Sequence, residues 1–275
     1  MSVITILCIL AIVLSITVFM VWASASIRSG VYVRAFCREK TDRKVVYLTF
    51  DDGPHPPETE RVLDVLRERG ARATFFLIGS KVSGNEAVLR RMLEEGHALG
   101  LHTYSHAGTF PLLSFDKMLA DVNEGKRAVE SVAGKKISLF RPPFGVTNPT
   151  IAKVIRTLGL QTVGWDVRSF DTMFCKSSEH SCKQSGYSCK QSEHSCKQSG
   201  YSCKQSGHDW YVPVVERIMK QVRPGSVILL HDRLDGASSL LALLLDNLAA
   251  SGYDFTCALP NTLISSSDSS ETNLS

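Results

Sequence analysis

From residue 45 onward, short apolar β-favouring runs alternate with amphipathic helical stretches, and this alternation constrains the fold more than any other feature of the chain. VVYLTF (45–50), ATFFLIG (73–79), HALGLH (97–102), ISLFRPPFG (137–145), QTVGWD (161–166), SVILLHD (226–232) and YDFTCAL (253–259) read as strands. Between them, helices are expected over 57–69, about 85–95, Ser114 to about Val132, from Asn148-Pro149 to Leu158, Val212–Val222 and 238–250. Pro57 suits a first helical turn, Gly70, Gly96 and Gly159 suit helix ends, and Ser114 suits an N-cap. A βαβα series of this kind argues for a parallel sheet, open or closed, and the pattern alone does not decide between them.

Two stretches stand apart from the series. Residues 3–23, VITILCILAIVLSITVFMVWA, carry no charge and are long enough to cross a hydrocarbon layer of about 30 Å. Ala23-Ser24-Ala25 resembles a signal-peptidase site, whereas the absence of Lys or Arg before the run, and its length, favour an uncleaved single-pass anchor over 1–26. The following segment, 27–44, reads as a basic linker: Arg28, Arg34, Arg38, Lys40, Arg43 and Lys44 face only Glu39 and Asp42. The positive-inside rule would hold this flank in the cytoplasm, against the extracytoplasmic placement that the chemistry below favours.

The second stretch, 175–207, is a heptapeptide repeat in which Cys175, Cys182, Cys189, Cys196 and Cys203 lie seven apart. Its units lack the two apolar positions of a coiled coil. A Cys/His metal tract with His180 and His194, disulfides, or a solvent-exposed duplicated loop without chemistry are the readings left, and the near-identity of the units favours the last. The repeat carries five Lys and two Glu, so it supplies most of the formal net charge of +4. The rest is near neutral, with no basic and aromatic footprint for nucleic acid. The Ser-rich tail, 263–275, reads as disordered. What remains, 45–262 without the repeat, fits one α/β domain, as barrels of roughly 200–250 residues do.

Polar clusters fall where the strands end, which is where parallel α/β folds build active sites. Asp51-Asp52-Gly53-Pro54 closes the first strand. Adjacent strand residues point to opposite faces, and the Gly53-Pro54 turn is expected to relax that alternation and bring both carboxylates to one site. A solvated turn is the plainer reading of this cluster alone. His102-Thr103-Tyr104-Ser105-His106 spaces two imidazoles i, i+4, as on one side of a helical turn, with no Glu after His102 to make the metalloprotease motif. Two histidines and one carboxylate suit a zinc-like ion with an open position. Leu230-His231-Asp232 ends a very apolar strand and places His231 for proton transfer, and Arg141 in RPPFG is suited to orient a carboxylate.

TFDDGPHP, HTYSH, RPPFG and LLHD, in this order, resemble the polysaccharide deacetylases of carbohydrate esterase family 4, the NodB homology domain, over about residues 44–260. The resemblance implies a distorted (β/α) barrel of about seven strands. It implies removal of acetyl groups, from N-acetylglucosamine polymers such as peptidoglycan or chitin-like oligomers or from O-acetylated xylan, with a divalent metal, Zn2+ or a substitute such as Co2+. Carried over, it makes Asp51 the general base, Asp52, His102 and His106 the metal ligands, and Arg141 the residue that holds Asp51. The backbone N–H near Phe144 would bind the oxyanion, His231 would be the general acid, and Leu230 would line the acetyl pocket. His55 and His97 are read as structural. The family's D-x-x-D-W motif is altered to Arg168-Ser169-Phe170-Asp171-Thr172, which leaves Asp171 as the candidate to tune His231. That change motivates a rival, a NodB-like protein that binds glycan without turnover. A glycosidase is disfavoured, because adjacent Asp51 and Asp52 cannot flank a bond at roughly 5–9.5 Å.

Overall fold

A computed structural model describes residues 2–173 and 210–257. The repeat at 175–207 and the tail at 263–275 lie outside the described residues. Helix α1 (Val3–Ala25) precedes a short strand β1 (Ala35–Phe36). The alternating series follows as β2 (Val45–Gly53), α2 (Glu58–Glu68), β3 (Thr74–Leu77), α3 (Glu86–Glu94), β4 (Ala98–Leu101), α4 (Phe115–Ala133), β5 (Leu139–Phe140), α5 (Pro149–Thr157) and β6 (Gln161–Val163). Then come β7 (Val167–Arg168), α6 (Tyr211–Gln221), β8 (Val227–His231), α7 (Ala237–Ala250) and β9 (Asp254–Thr256).

All nine strands join one sheet in the order β1-β6-β5-β4-β3-β2-β8-β7, with β9 on the start of β2. Every pairing between these strands is parallel. The expected distorted (β/α) barrel of about seven strands takes the form of a parallel half-barrel, with two more strands among the described residues. One of them corrects the reading of 27–44 as a linker. β1 pairs with β6, Val33 enters the main core, and Glu39 donates its N–H to the Gly225 carbonyl at 2.9 Å. Local polarity concealed this, because the strand partner Thr162 of Ala35 and the Gly225 partner of Glu39 lie more than a hundred positions away.

The alternation along β2 sets up the site. Val46, Leu48 and Phe50 face the helices in the main core, where Phe50 stacks on Phe75 with ring centroids 5.1 Å apart. Burying such side chains contributes roughly 1.5–3 kcal/mol each. Tyr47 faces the barrel interior with Phe76, Val163 and Val227. Thr49 and Asp51 therefore continue that inner face upward, above an apolar floor. Asn148 caps α5, its Oδ1 accepting the Ile151 N–H at 2.8 Å, as its sequence position before a proline suggested.

Candidate active site

Asp51 is 4% exposed at the end of β2 and meets the fully buried Arg141 from the end of β5. The guanidinium Nη1 donates to Asp51 Oδ1 at 2.7 Å and to Thr49 Oγ1 at 2.9 Å. Its Nε and Nη2 donate to the carbonyls of Val163 at 3.0 Å and Gly164 at 2.8 Å. The guanidinium carbon also lies 4.1 Å from the centroid of the Phe76 ring. The planar fork thus bonds β2 and β6 while its face lies on Phe76 of β3, a geometry that lysine cannot reproduce.

Asp52 joins the same site by a local break in the strand. Its φ is 71°, in the left-handed region, and the β2–β3 register shifts between Asp51 and Gly53. The alternation is therefore broken at Asp52 itself rather than by the Gly53-Pro54 turn that follows. Asp52 Oδ1 lies 3.3 Å from His106 Nε2 and 3.7 Å from His102 Nε2. Burial pushes the Asp52 carboxyl up, but His102, His231, His106 and the hydrogen bond from Arg233 outweigh it and hold it below the ordinary carboxylate range. Arg233, whose Nε donates to Asp52 Oδ2 at 2.9 Å, was not singled out in the sequence. Its place two residues past His231, on the same strand exit, is the signal that could have found it.

The two imidazoles come from an irregular loop, not from a helical turn. Thr103 and His106 both have positive φ, 65° and 49°, and the rings nevertheless meet with centroids 4.8 Å apart. Helix α4 holds that loop. Asp121 accepts the backbone N–H of Tyr104 at 2.9 Å and of Ser105 at 3.2 Å. One turn later Gly125 lets the helix approach: a Cβ there would stand 2.9 Å from the Thr103 carbonyl carbon and the Tyr104 nitrogen. His102 Nδ1 is engaged by the Arg141 carbonyl at 2.7 Å, which turns Nε2 toward Asp52. Ligand atoms of Asp52, His102 and His106 all lie within 4.8 Å of one another, a donor set that fits a divalent ion.

His231 closes the far side. Its Nδ1 lies 2.8 Å from Asp171 Oδ1, and its backbone N–H donates to Asp171 Oδ2 at 2.9 Å. Burial works against the imidazolium, yet Asp171 beside it, with Asp51 and Asp52 beyond, raises the His231 pKa above the ordinary value. Phe144, with a φ of 59°, is half-exposed, its ring 5.1 Å from that of His106.

Leu230 requires correction. It pairs with Phe50 across the sheet and sits in the main core on the helix side, whereas His231, one residue on, pairs with Asp51. Period-two alternation sends Leu229, 3% exposed, to the face of Asp51 and His231 instead. His97 is buried with Nδ1 accepting the Ala73 N–H at 3.2 Å, and His55 is exposed.

A family model described as polysaccharide deacetylase matches residues 38–163. The peptidoglycan-N-acetylglucosamine deacetylase of Bacillus cereus is 32% identical over 221 residues, covering 78% of this chain and 86% of that protein. The chain belongs to the polysaccharide deacetylase family. The chitooligosaccharide deacetylase of Azorhizobium caulinodans is 29% identical over 192 residues, covering 68% of this chain and 73% of that protein. Among solved structures, a family 4 carbohydrate esterase from Streptomyces lividans in complex with acetate aligns with a TM-score of 0.62 at 26% identity, covering 81% of this chain and 97% of that one. The named deacetylase relatives are hydrolases that cut carbon–nitrogen bonds outside peptides, the enzyme class that the resemblance implied.

Proposed function

We propose that this chain removes the N-acetyl group of an N-acetylglucosamine-containing glycan. The observation that carries the reading is the convergence of Asp52, His102 and His106 within 4.8 Å, with Asp51 and His231 on either side. Zinc suits the two imidazoles and one carboxylate, with cobalt as a substitute. Such an ion supplies a Lewis acid for the acetyl carbonyl and acidifies water.

The remaining steps belong to the chain's own groups. Asp51, held by Arg141, takes a proton from the attacking water as its oxygen bonds to the acetyl carbon. The backbone N–H near Phe144 would bind the oxyanion, a kind of donor that contributes roughly 2.7–4 kcal/mol, and an ion held by Asp52, His102 and His106 would supply positive charge there. His231, protonated and held by Asp171, gives its proton to the sugar nitrogen as the C–N bond breaks. The products are acetate and a free amine. Amide nitrogen leaves poorly unless protonated, so a His231 kept charged by Asp171 favours the amide over an O-acetyl ester. The same pairing argues against a binding protein without turnover, since the altered motif retains the carboxylate that matters.

Acetate release from N-acetylated chito-oligomers and peptidoglycan, by the purified full chain with zinc, tests the activity. His102→Ala and His106→Ala are expected to lose bound zinc together with turnover, whereas His231→Ala loses turnover and keeps the metal. Elemental analysis of the three variants checks this, and zinc retained at full stoichiometry in His102→Ala rejects the ligand set.

Asp171→Asn gives a pH test. The His231 pKa is raised by neighbouring carboxylates, so its acid form persists to higher pH and is lost as pH rises through that pKa. Removing the Asp171 charge lowers the pKa, so the alkaline limb of the rate profile is expected to move to lower pH. An unmoved limb shows that another group sets it.

The N-terminal helix is long and apolar enough to cross a membrane. We read it as an uncleaved anchor with the catalytic domain outside the cytoplasm, where acetylated polymers lie. Support for retention comes from the domain: Thr147, 1% exposed, donates its backbone N–H to the Ser24 carbonyl at 2.9 Å. Cleavage after Ala25 would strip that buried donor of its partner.

A further inference from the structure

The junction between helix and domain has no slack. Residues 2–22 are exposed, although Met20 Sδ accepts from the Tyr32 hydroxyl at 3.2 Å, and burial against the domain begins at Ala23, which is fully buried. From there the chain is held closely. Ser24 accepts from Thr147, Ser29 Oγ donates to the Ala23 carbonyl at 2.9 Å, Ile27 is 4% exposed and borders Gly164, and Val33 enters the core. The 23-residue helix is ~35 Å long, and a hydrocarbon core takes about 30 Å of it. Thr147 therefore stands at the lipid boundary when the helix spans.

That boundary is also the rim of the site. Thr147 follows Phe144 by three residues, at most about 11 Å of chain, and the Phe144 ring is 5.1 Å from His106. Outside the helix, the large apolar side chains exposed among the described residues are Val31, Leu112, Phe144, Met173 and Val212. Three of these belong to segments tied to the helix end. Val31 lies just past it, Phe144 precedes Thr147, and Leu112, 85% exposed, follows Pro111, whose carbonyl accepts from Asn148 at 2.7 Å. Arg28, next to Ile27, lines a cleft with Arg38, Lys40 and Arg223, opposite the single acid Asp166. Of these cations Arg28 stands at the helix end beside the apolar groups, a charge that meets phosphate next to side chains that enter an interface, while Arg38 reaches Ser226 just before β8.

We propose that the mouth of the site lies against the bilayer and that its substrate is an N-acetylated glycan still carried on a membrane lipid through a phosphate, rather than the mature polymer. This rests on the deacetylase and anchor readings above. A substrate and an enzyme confined to one surface meet at high effective concentration, and a rigid junction sets the height at which the sugar is read.

The test reconstitutes the full chain with zinc in vesicles containing an anionic phospholipid. Acetate release is compared between an N-acetylglucosamine disaccharide on a polyprenyl diphosphate in the same vesicles and a water-soluble chito-oligomer. A kcat/KM at least about tenfold higher for the lipid-borne sugar is expected. A ~20-residue Gly/Ser insert between Trp22 and Ala23 keeps the docked segment but adds a ~25 Å flexible span. It should abolish that preference and leave the soluble rate unchanged, and Leu112→Ser should weaken it in the same selective way. Turnover of the soluble sugar without preference for the lipid-borne one, or a preference that survives the insert, overturns the placement. No acetate from either sugar overturns the deacetylase reading and the placement with it.

Discussion

Asp51→Asn is expected to lower acetate release by about 10²–10⁴-fold, the usual contribution of a general base, while zinc content stays at the wild-type level. The geometry separates the two effects. Asp51 Oδ1 is held by Arg141 at 2.7 Å, and Oδ2 lies 3.9 Å from His102 Nε2, on the edge of the cluster made by Asp52, His102 and His106. An asparagine oxygen still accepts from Arg141, so the side chain keeps its place, but neither of its heavy atoms takes a proton near neutral pH. Steady-state acetate release and metal content, measured on the same preparation, check the prediction. A variant with more than about a tenth of wild-type turnover rejects Asp51 as the base.

Arg141→Met is expected to destabilise the fold by about 3–5 kcal/mol, the cost of removing one partner of a buried charge pair. Arg141 is fully buried and serves four acceptors: Asp51, Thr49 and the carbonyls of Val163 and Gly164. Methionine fills much of the volume and none of those bonds, leaving Asp51's charge without a cation. Against a typical total of 5–15 kcal/mol the loss is large, and in a domain of this size it lowers the melting midpoint by roughly 6–20 °C. Arg141→Lys isolates the fork: the charge remains, but one ammonium cannot reach four acceptors on two separate strands, so an intermediate loss is expected. Thermal melts of the zinc-loaded proteins read both variants, and a lysine variant as stable as wild type removes the argument from geometry.

The order of elements was legible because it is written in local periodicity. Phe115, Met118, Leu119, Val122 and Val129 recur at helical spacing and fall on α4, and the apolar runs at 45–50, 73–79 and 226–232 fall on β2, β3 and β8. The chemistry-bearing residues were legible for a related reason, since Asp51, His102, Arg141 and His231 interrupt apolar strand ends where an uncompensated polar group is costly. A choice within a motif was less secure. LLHD pointed to Leu230, yet the alternation that sends His231 inward sends Leu230 to the helices and leaves Leu229 beside the site.

Sequence alone thus determined the parallel α/β class, the apolar helix and the residue types that converge at the strand ends, because each depends on neighbours within a few positions. Only the tertiary structure decided that Asp52 turns left-handed to meet two histidines fifty residues away. It also decided that Asp121 and Gly125 brace their loop, that Arg233 holds the second Asp52 oxygen, and that Ser24 is bonded to Thr147. These are contacts between distant segments. Their partners are selected by sheet register and helix packing, which no local stretch of sequence encodes.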